Sequence, residues 1–469
     1  MKKTKIICSI GPSSVHPDNM ERMVNAGMNV ARINFSHATT EEKEETVASV
    51  KEVRKRTGKV IGILYDTKGP DFRTGQLETE YIDLVEGEKI VITKEDVLGT
   101  KERITVNYKD ALDDISVGDT VLLEDGLMKL EVIDKVNGDL VCKIIYGGQL
   151  GHKKGVNIPG VKLNVPFLSA QDIEDIRYAC RHEGDFLAVS FVEDKEGILQ
   201  VRQILEEENR TDMLIISKVE SRVAIQNIDD IVKYSDGVMV ARGDLGVEVP
   251  MYEVPFLQKM MIKKCRREGK FVIVATEMLA SMYKNARPTR AEATDIANAV
   301  LDGTDAVMLS GETTIGKHPI KAVSYMAEIV KNAESHFEFK KEFNQVSEFS
   351  ITEVVAKSVT KAAFKLDAKL IVVPTMHGYS AAKISNLIPV CPILAICINE
   401  ETARRLILNS GVYPVVVKEV MPFNELVKMA RDEALNFMPL KEKDKIVIAG
   451  GFARTGQAKS TNFMKIEEI

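Results

Sequence analysis

Eight short apolar runs pace the first two-thirds of the chain: Lys5–Ile10, Asn29–Ile33, Val60–Tyr65, Phe186–Phe191, Met213–Lys218, Gly237–Ala241, Phe271–Ala275 and Ala306–Leu309. They are rich in β-branched residues, and segments with helical spacing separate most of them. A strand that is apolar on both sides must be covered on both sides, as in a parallel sheet wrapped by helices. Eight such βα units predict an α/β chain built on a (β/α)8 TIM barrel.

The third run is followed by something else. From Asp71 to Pro166 the helical pattern vanishes, and short alternating segments appear between Gly and Asp turns: Tyr81–Leu84, Lys89–Thr93, Thr120–Leu123 and Leu140–Ile145. This reads as an all-β domain inserted in a βα loop of the barrel. Gly69-Pro70 and Gly155–Gly160 stand at its ends as candidate hinges, and an insertion on the rim of a barrel is placed to act as a lid. After Ala333 the chain turns polar through Lys340–Glu348, a linker. Strands at Leu370–Pro374, Ile393–Ile396, Pro414–Val417 and Lys445–Ala449 then alternate with helices, giving a C-terminal open α/β domain. The expected domains are 1–70 with 167–335 (barrel), 71–166 (lid) and 336–469 (C-terminal); 469 residues suffice for roughly three.

The bulk chemistry excludes several classes. A net charge of −6 argues against a nucleic-acid binder. No apolar run approaches the roughly 20 residues of a membrane span, and Met1-Lys-Lys-Thr leads straight into a strand without a signal peptide. Cys8, Cys142, Cys180, Cys265, Cys391 and Cys397 form no C-x-x-C pair and read as buried thiols of a reducing compartment, so the cytoplasm is expected. The seven histidines show no metal-ligand spacing.

The ends of the strands carry the chemistry. The fifth ends in Lys218 and Glu220, and the sixth runs into Arg242 and Asp244. Neighbouring parallel strands put all four at one face of the barrel. There two carboxylates can hold a hard divalent cation and a lysine can neutralise a transferring group. Arg32-Ile-Asn34-Phe-Ser36-His37, Asp66-Thr67-Lys68 with Arg73 beyond, Ser190, Thr276-Glu277 and Ser310-Gly-Glu312 end five further strands. One polar strand end is commonly a helix cap; seven, mixing acids, arginines and hydroxyls, point to an active site. From residue types alone, another Mg²⁺-using barrel enzyme of the aldolase or lyase kind, or a scaffold on an inactive barrel, stays open.

Five segments carry a resemblance: Ala31–His37, Asp66–Gly75, Ile216–Glu220, Val240–Gly246, and Arg287–Gly303 running on to Ser310-Gly-Glu-Thr. They resemble pyruvate kinase, over essentially the whole chain. The resemblance implies transfer of a phosphoryl group from phosphoenolpyruvate to ADP, then protonation of the enolate to pyruvate. Lys218, Arg73 and Thr276 match the catalytic residues. Arg32, Lys218, Ala241, Arg242, Gly243, Asp244 and Thr276 match the substrate site, and Asn34, His37, Arg73 and Lys154 the nucleotide site. Glu220 and Asp244 match the ligands of Mg²⁺ (or Mn²⁺); Asn34, Ser36, Asp66 and Thr67 match those of K⁺.

Two positions depart from the family. Asp71 stands where Glu or Lys is usual, and Ser221 where Asn is usual after the metal glutamate. Thr375–Ser380 and Gly450–Gly456 resemble the family's effector loops, with Thr375, His377, Gly378, Ser380 and Gly456 as candidate contacts for a sugar phosphate or AMP. A homotetramer is implied, as is a bacterial-type chain without the extra C-terminal phosphohistidine-like domain. No nucleic-acid or membrane partner is expected.

Overall fold

The computed structural model describes residues 1–70, 72–337, 350–417, 423–451 and 460–469. Asp71, the linker at Lys340–Glu348 and Gly456 lie outside the described residues.

The eight expected strands close into one parallel barrel in chain order, the first (Lys5–Ser9) pairing with both the second (Val30–Asn34) and the eighth (Ala306–Leu309). The third to seventh are Gly62–Asp66, Phe186–Val189, Leu214–Val219, Gly237–Ala241 and Phe271–Ala275. Their bounds differ from the sequence reading by at most two residues, at carboxyl ends where the polar loop begins and, for Val30, Gly62 and Leu214, at amino ends as well. Both strand faces are buried for the reason the sequence gives: one set of side chains meets the helices, the other fills the barrel. Ile7, Leu64, Ile216, Met239 and Met308 occupy the interior, with Phe186 and Phe271 edge to face at 6.3 Å. Ile407 and Leu408, from the C-terminal domain, belong to the same cluster. They meet the barrel at the amino ends of the strands and close its floor, which leaves the carboxyl ends for the site.

The helices after these strands start on local signals. Thr39 with Glu42, Ser169 with Asp172 and Thr289 with Glu292 form reciprocal capping boxes, each satisfying two amides that the first helical turn leaves unpaired.

The β insertion has its own apolar cluster, including Leu77, Ile90, Ile104, Val121, Leu130 and Ile144. It contains a six-stranded sheet and a two-stranded one. The four expected segments are strands; Arg103–Thr105, Met128–Val136, Gly148–Gly151 and Val156–Asn157 join them. Buried Asp172 ties both ends of the insertion together. It accepts from the Gly69 amide at 3.0 Å, from the Ser169 amide at 3.0 Å and from the Ser169 hydroxyl at 2.6 Å.

The C-terminal domain is an open sheet in the order Val412–Val416, Ile393–Cys397, Leu370–Thr375, Lys445–Gly450 and Phe463–Glu468. The first four are parallel and the last, an edge strand the sequence reading did not mark, is antiparallel. All six cysteines are buried and unbridged. Among the described residues no helix is long and apolar enough to cross a membrane.

Candidate active site

Lys218 is the centre of a knot of buried groups at the carboxyl ends of the strands. Its Nζ lies 3.1 Å from Asp66 Oδ1 and 2.9 Å from Glu220 Oε1, and donates to Ser190 Oγ at 2.6 Å. An ammonium has three protons, and here each has an acceptor. Burial works against the Lys218 charge, but Asp66 and Glu220 outweigh it and hold the pKa above the ordinary lysine range. Burial also disfavours the Asp66 carboxylate, yet Arg32 and Lys218 keep its pKa below the usual value. For Glu220, burial wins: it pushes the carboxyl up further than Lys218 pulls it down, and the Asp244 charge adds to the rise. A buried carboxylate with a second carboxylate beside it is a donor set that a divalent cation would relieve.

Arg32 completes the knot. Its Nε meets Asp66 Oδ2 at 2.7 Å and its Nη1 donates to Ser9 Oγ at 2.7 Å. Asn34 and Asp66 are register partners on adjacent strands. Asn34 Oδ1 accepts from the Ser36 amide at 3.1 Å, and Thr67 Oγ1 from the Ser190 amide at 3.1 Å. Asn34, Ser36, Asp66 and Thr67 are thus gathered at two neighbouring strand ends, all oxygen donors and suited to a hard cation. Both Asp66 oxygens meanwhile serve Arg32 and Lys218.

A cleft of about 1090 Å³ opens between this face and the β insertion. Arg32, Asn34, Ser36, His37, Lys218, Glu220 and Asp244 line it from the barrel, and Arg73 from the base of the insertion. Arg73 Nη1 donates to the Lys153 carbonyl at 2.8 Å. Lys154 is not among the lining residues; its Nζ is paired with Glu124 Oε1 at 2.5 Å.

Ala241, Arg242, Gly243 and Thr276 form a second group at the ends of strands six and seven. Helix Arg242–Glu248 starts directly at the strand end. The Gly243 amide donates to Thr276 Oγ1 at 2.8 Å, and Thr276 Oγ1 donates to the Ala275 carbonyl at 2.6 Å. Thr276 and Glu277 both have left-handed backbone, with φ of 68° and 54°, an arrangement that needs support from its surroundings. Arg242 supplies it: Nη2 donates to the Thr276 carbonyl at 2.7 Å, while Nη1 pairs with Asp295 at 2.7 Å. The Arg242 side chain is therefore held by its own neighbours.

Sequence reasoning missed Ser9 and Asp295, which anchor Arg32 and Arg242. No local pattern marks Ser9, whereas Asp295 lies inside the Arg287–Gly303 segment. Ser221 gains a role: its hydroxyl caps helix Arg222–Gln226, accepting from the Ala224 amide at 3.1 Å.

A model of the pyruvate kinase barrel domain matches residues 1–323, and one of the pyruvate kinase alpha/beta domain matches residues 353–467. The chain belongs to the pyruvate kinase family. The pyruvate kinase of Geobacillus stearothermophilus is 46% identical over 473 residues, covering 100% of this chain and 80% of its own. That of Bacillus licheniformis is 44% identical over 472 residues, covering 99% and 80%. A crystal structure of a pyruvate kinase from Cryptosporidium parvum matches with a TM-score of 0.95 at 36% identity, over 100% of this chain and 96% of that one. Pyruvate kinases carry phosphoryl transfer between phosphoenolpyruvate and ADP in glycolysis, and this chain is such a phosphotransferase. The family is generally metal-dependent.

The candidate effector loop is a tight turn. The Gly378 amide donates to Thr375 Oγ1 at 3.0 Å, and helix Tyr379–Ser385 follows. His377 is exposed, while Ser380 is buried and its hydroxyl receives that of Thr461 at 2.8 Å.

Proposed function

We propose that phosphoryl transfer takes place in the cleft between the barrel and the β insertion, with Lys218 stabilising charge on the group in transit. The observation that carries this reading is the Lys218 ammonium. It is kept charged, and three acceptors hold it in the cleft that Arg32, Arg73, Glu220 and Asp244 also line. Phosphoryl transfer needs positioning and charge neutralisation more than covalent help.

Arg32 and Arg73 take the phosphate, whose oxygens suit the guanidinium fork. The backbone at Ala241–Arg242–Gly243, with Asp244 beside it, takes the substrate carboxylate, the Gly243 amide leaving Thr276 for the ligand. Glu220 and Asp244 would hold Mg²⁺ or Mn²⁺, which when bound neutralises the phosphoryl oxygens. Asn34, His37, Arg73 and Lys154 serve the nucleotide, and Asn34, Ser36, Asp66 and Thr67 a K⁺ ion. Thr276, released from Gly243, supports delivery of the proton to the enolate carbon. The working units are 1–70 with 167–335, 71–166 and 336–469, assembled as a cytoplasmic homotetramer, which sedimentation tests. A panel of sugar phosphates and AMP tests the Thr375–Ser380 loop.

The decisive experiment is Lys218→Met. Turnover is expected to fall by well over tenfold while phosphoenolpyruvate and Mn²⁺ still bind, because a charge used mainly in the transition state affects rate more than affinity. Retention of more than about a tenth of turnover, a change below roughly 1.4 kcal/mol, would overturn the assignment.

A further inference from the structure

Ser190 ends the fourth barrel strand and makes more contacts with this machinery than its size suggests. Its Oγ donates to the Thr67 carbonyl at 2.6 Å, and Asp66 Oδ1 lies further off at 3.5 Å. A hydroxyl has one proton, so the short bond to Thr67 takes it and fixes the rotor. The oxygen lone pairs that remain face Lys218 Nζ at 2.6 Å. The Ser190 backbone is pinned as well. Its amide donates to Thr67 Oγ1 at 3.1 Å. Gly69 packs against it so closely that a Cβ there would stand 2.9 Å from Ser190 Cβ. Ser190 itself is only 2% exposed.

We propose that Ser190 is a positioning residue for phosphoryl transfer: the Thr67 carbonyl locks its hydroxyl, and the locked oxygen aims the Lys218 ammonium into the cleft. The proposal rests on the reading of Lys218 above. Asp66 and Glu220 attract the ammonium from two sides, but charge attraction is weakly directional. The serine oxygen is the neutral, geometrically fixed third point. Without it Lys218 stays charged and stays in the knot, but slides between its two carboxylates. Small misplacements of a catalytic group have large effects on rate.

The test compares Ser190→Ala with wild type in steady-state kinetics, with melting temperature as the control for folding. Expected is a fall in kcat of about tenfold or more, with KM for phosphoenolpyruvate changed by less than about threefold. Ser190→Cys, near in size and a weak acceptor, is measured alongside and gives the same split if the alanine variant melts early. The double variant with Lys218→Arg separates positioning from packing. If Ser190 acts through Lys218, Ser190→Ala adds less than about threefold in the arginine background. Wild-type kcat in Ser190→Ala overturns the proposal, and so does an undiminished effect in the arginine background. An active Lys218→Met enzyme removes the underlying reading instead, and that variant is scored on its own.

Discussion

Glu193 lines the cleft beside Ser221, and burial pushes its carboxyl up to about 7, only partly offset by Lys162 and the Ser221 hydroxyl. A folded-state value raised above the ordinary 4.5 means that the native chain holds the proton more tightly than the unfolded one. The stability this gives is complete below the unfolded value and lost as pH rises through about 7. Glu193→Gln should therefore melt higher than wild type at pH 8, by about 1–2 °C for one partly solvated group in a chain of this size, and show little gain at pH 4.5. Equal gains at both pH values would mean that Glu193 titrates normally. The K⁺ reading belongs to the same scale. Asn34 and Asp66 face each other across two strands, so activity should rise with KCl against a constant tetramethylammonium background; full activity without K⁺ would leave those oxygens to Arg32 and Lys218 alone. Lys218, Glu220 and Asp244 were legible in the sequence because charge at the end of an apolar strand is locally conspicuous. Ser9 and Ser221 were not, since their roles, holding Arg32 and capping a short helix, depend on partners that a linear pattern does not name.

Asp172 shows what one element can do for another. It completes a capping box for helix Ala170–Arg181 and also receives the amide of Gly69, about a hundred residues earlier in the chain. Asp172→Ala should remove about 2 kcal/mol, the sum of a lost cap and an unpaired buried amide. Amide exchange should quicken at Gly69 and Ser169 together; acceleration at Ser169 alone would mean that the two ends of the insertion are not coupled. Elements followed the sequence wherever apolar periodicity was strong, as in the barrel strands. Met128–Val136 stands out less in sequence, because charged residues crowd it and its register shifts between Val132 and Asp134. Phe463–Glu468 was missed because an edge strand buries little, and its Lys and Glu residues read as a polar tail.

At the scale of the whole molecule, the C-terminal domain is bolted under the barrel. Arg404 Nε meets the buried Asp185 Oδ1 at 2.8 Å, and Arg54 stands 3.5 Å from the other oxygen. Arg404→Ala should lower stability by about 2 kcal/mol, below the usual range for a broken buried pair because Arg54 remains. KM for phosphoenolpyruvate should stay as it was, since the pair lies at the opposite end of the strands from the cleft. An unchanged melting temperature would mean that Arg54 alone satisfies Asp185. Neither this pair nor the floor made by Ile407 and Leu408 could be read from sequence, because about two hundred residues separate the partners and no periodicity spans them. The floor also bears on separability. A fragment ending at residue 337 would keep every candidate catalytic side chain, yet lose Ile407 and Leu408 from the apolar cluster inside the barrel. The barrel thus draws part of its own core from the domain that follows it.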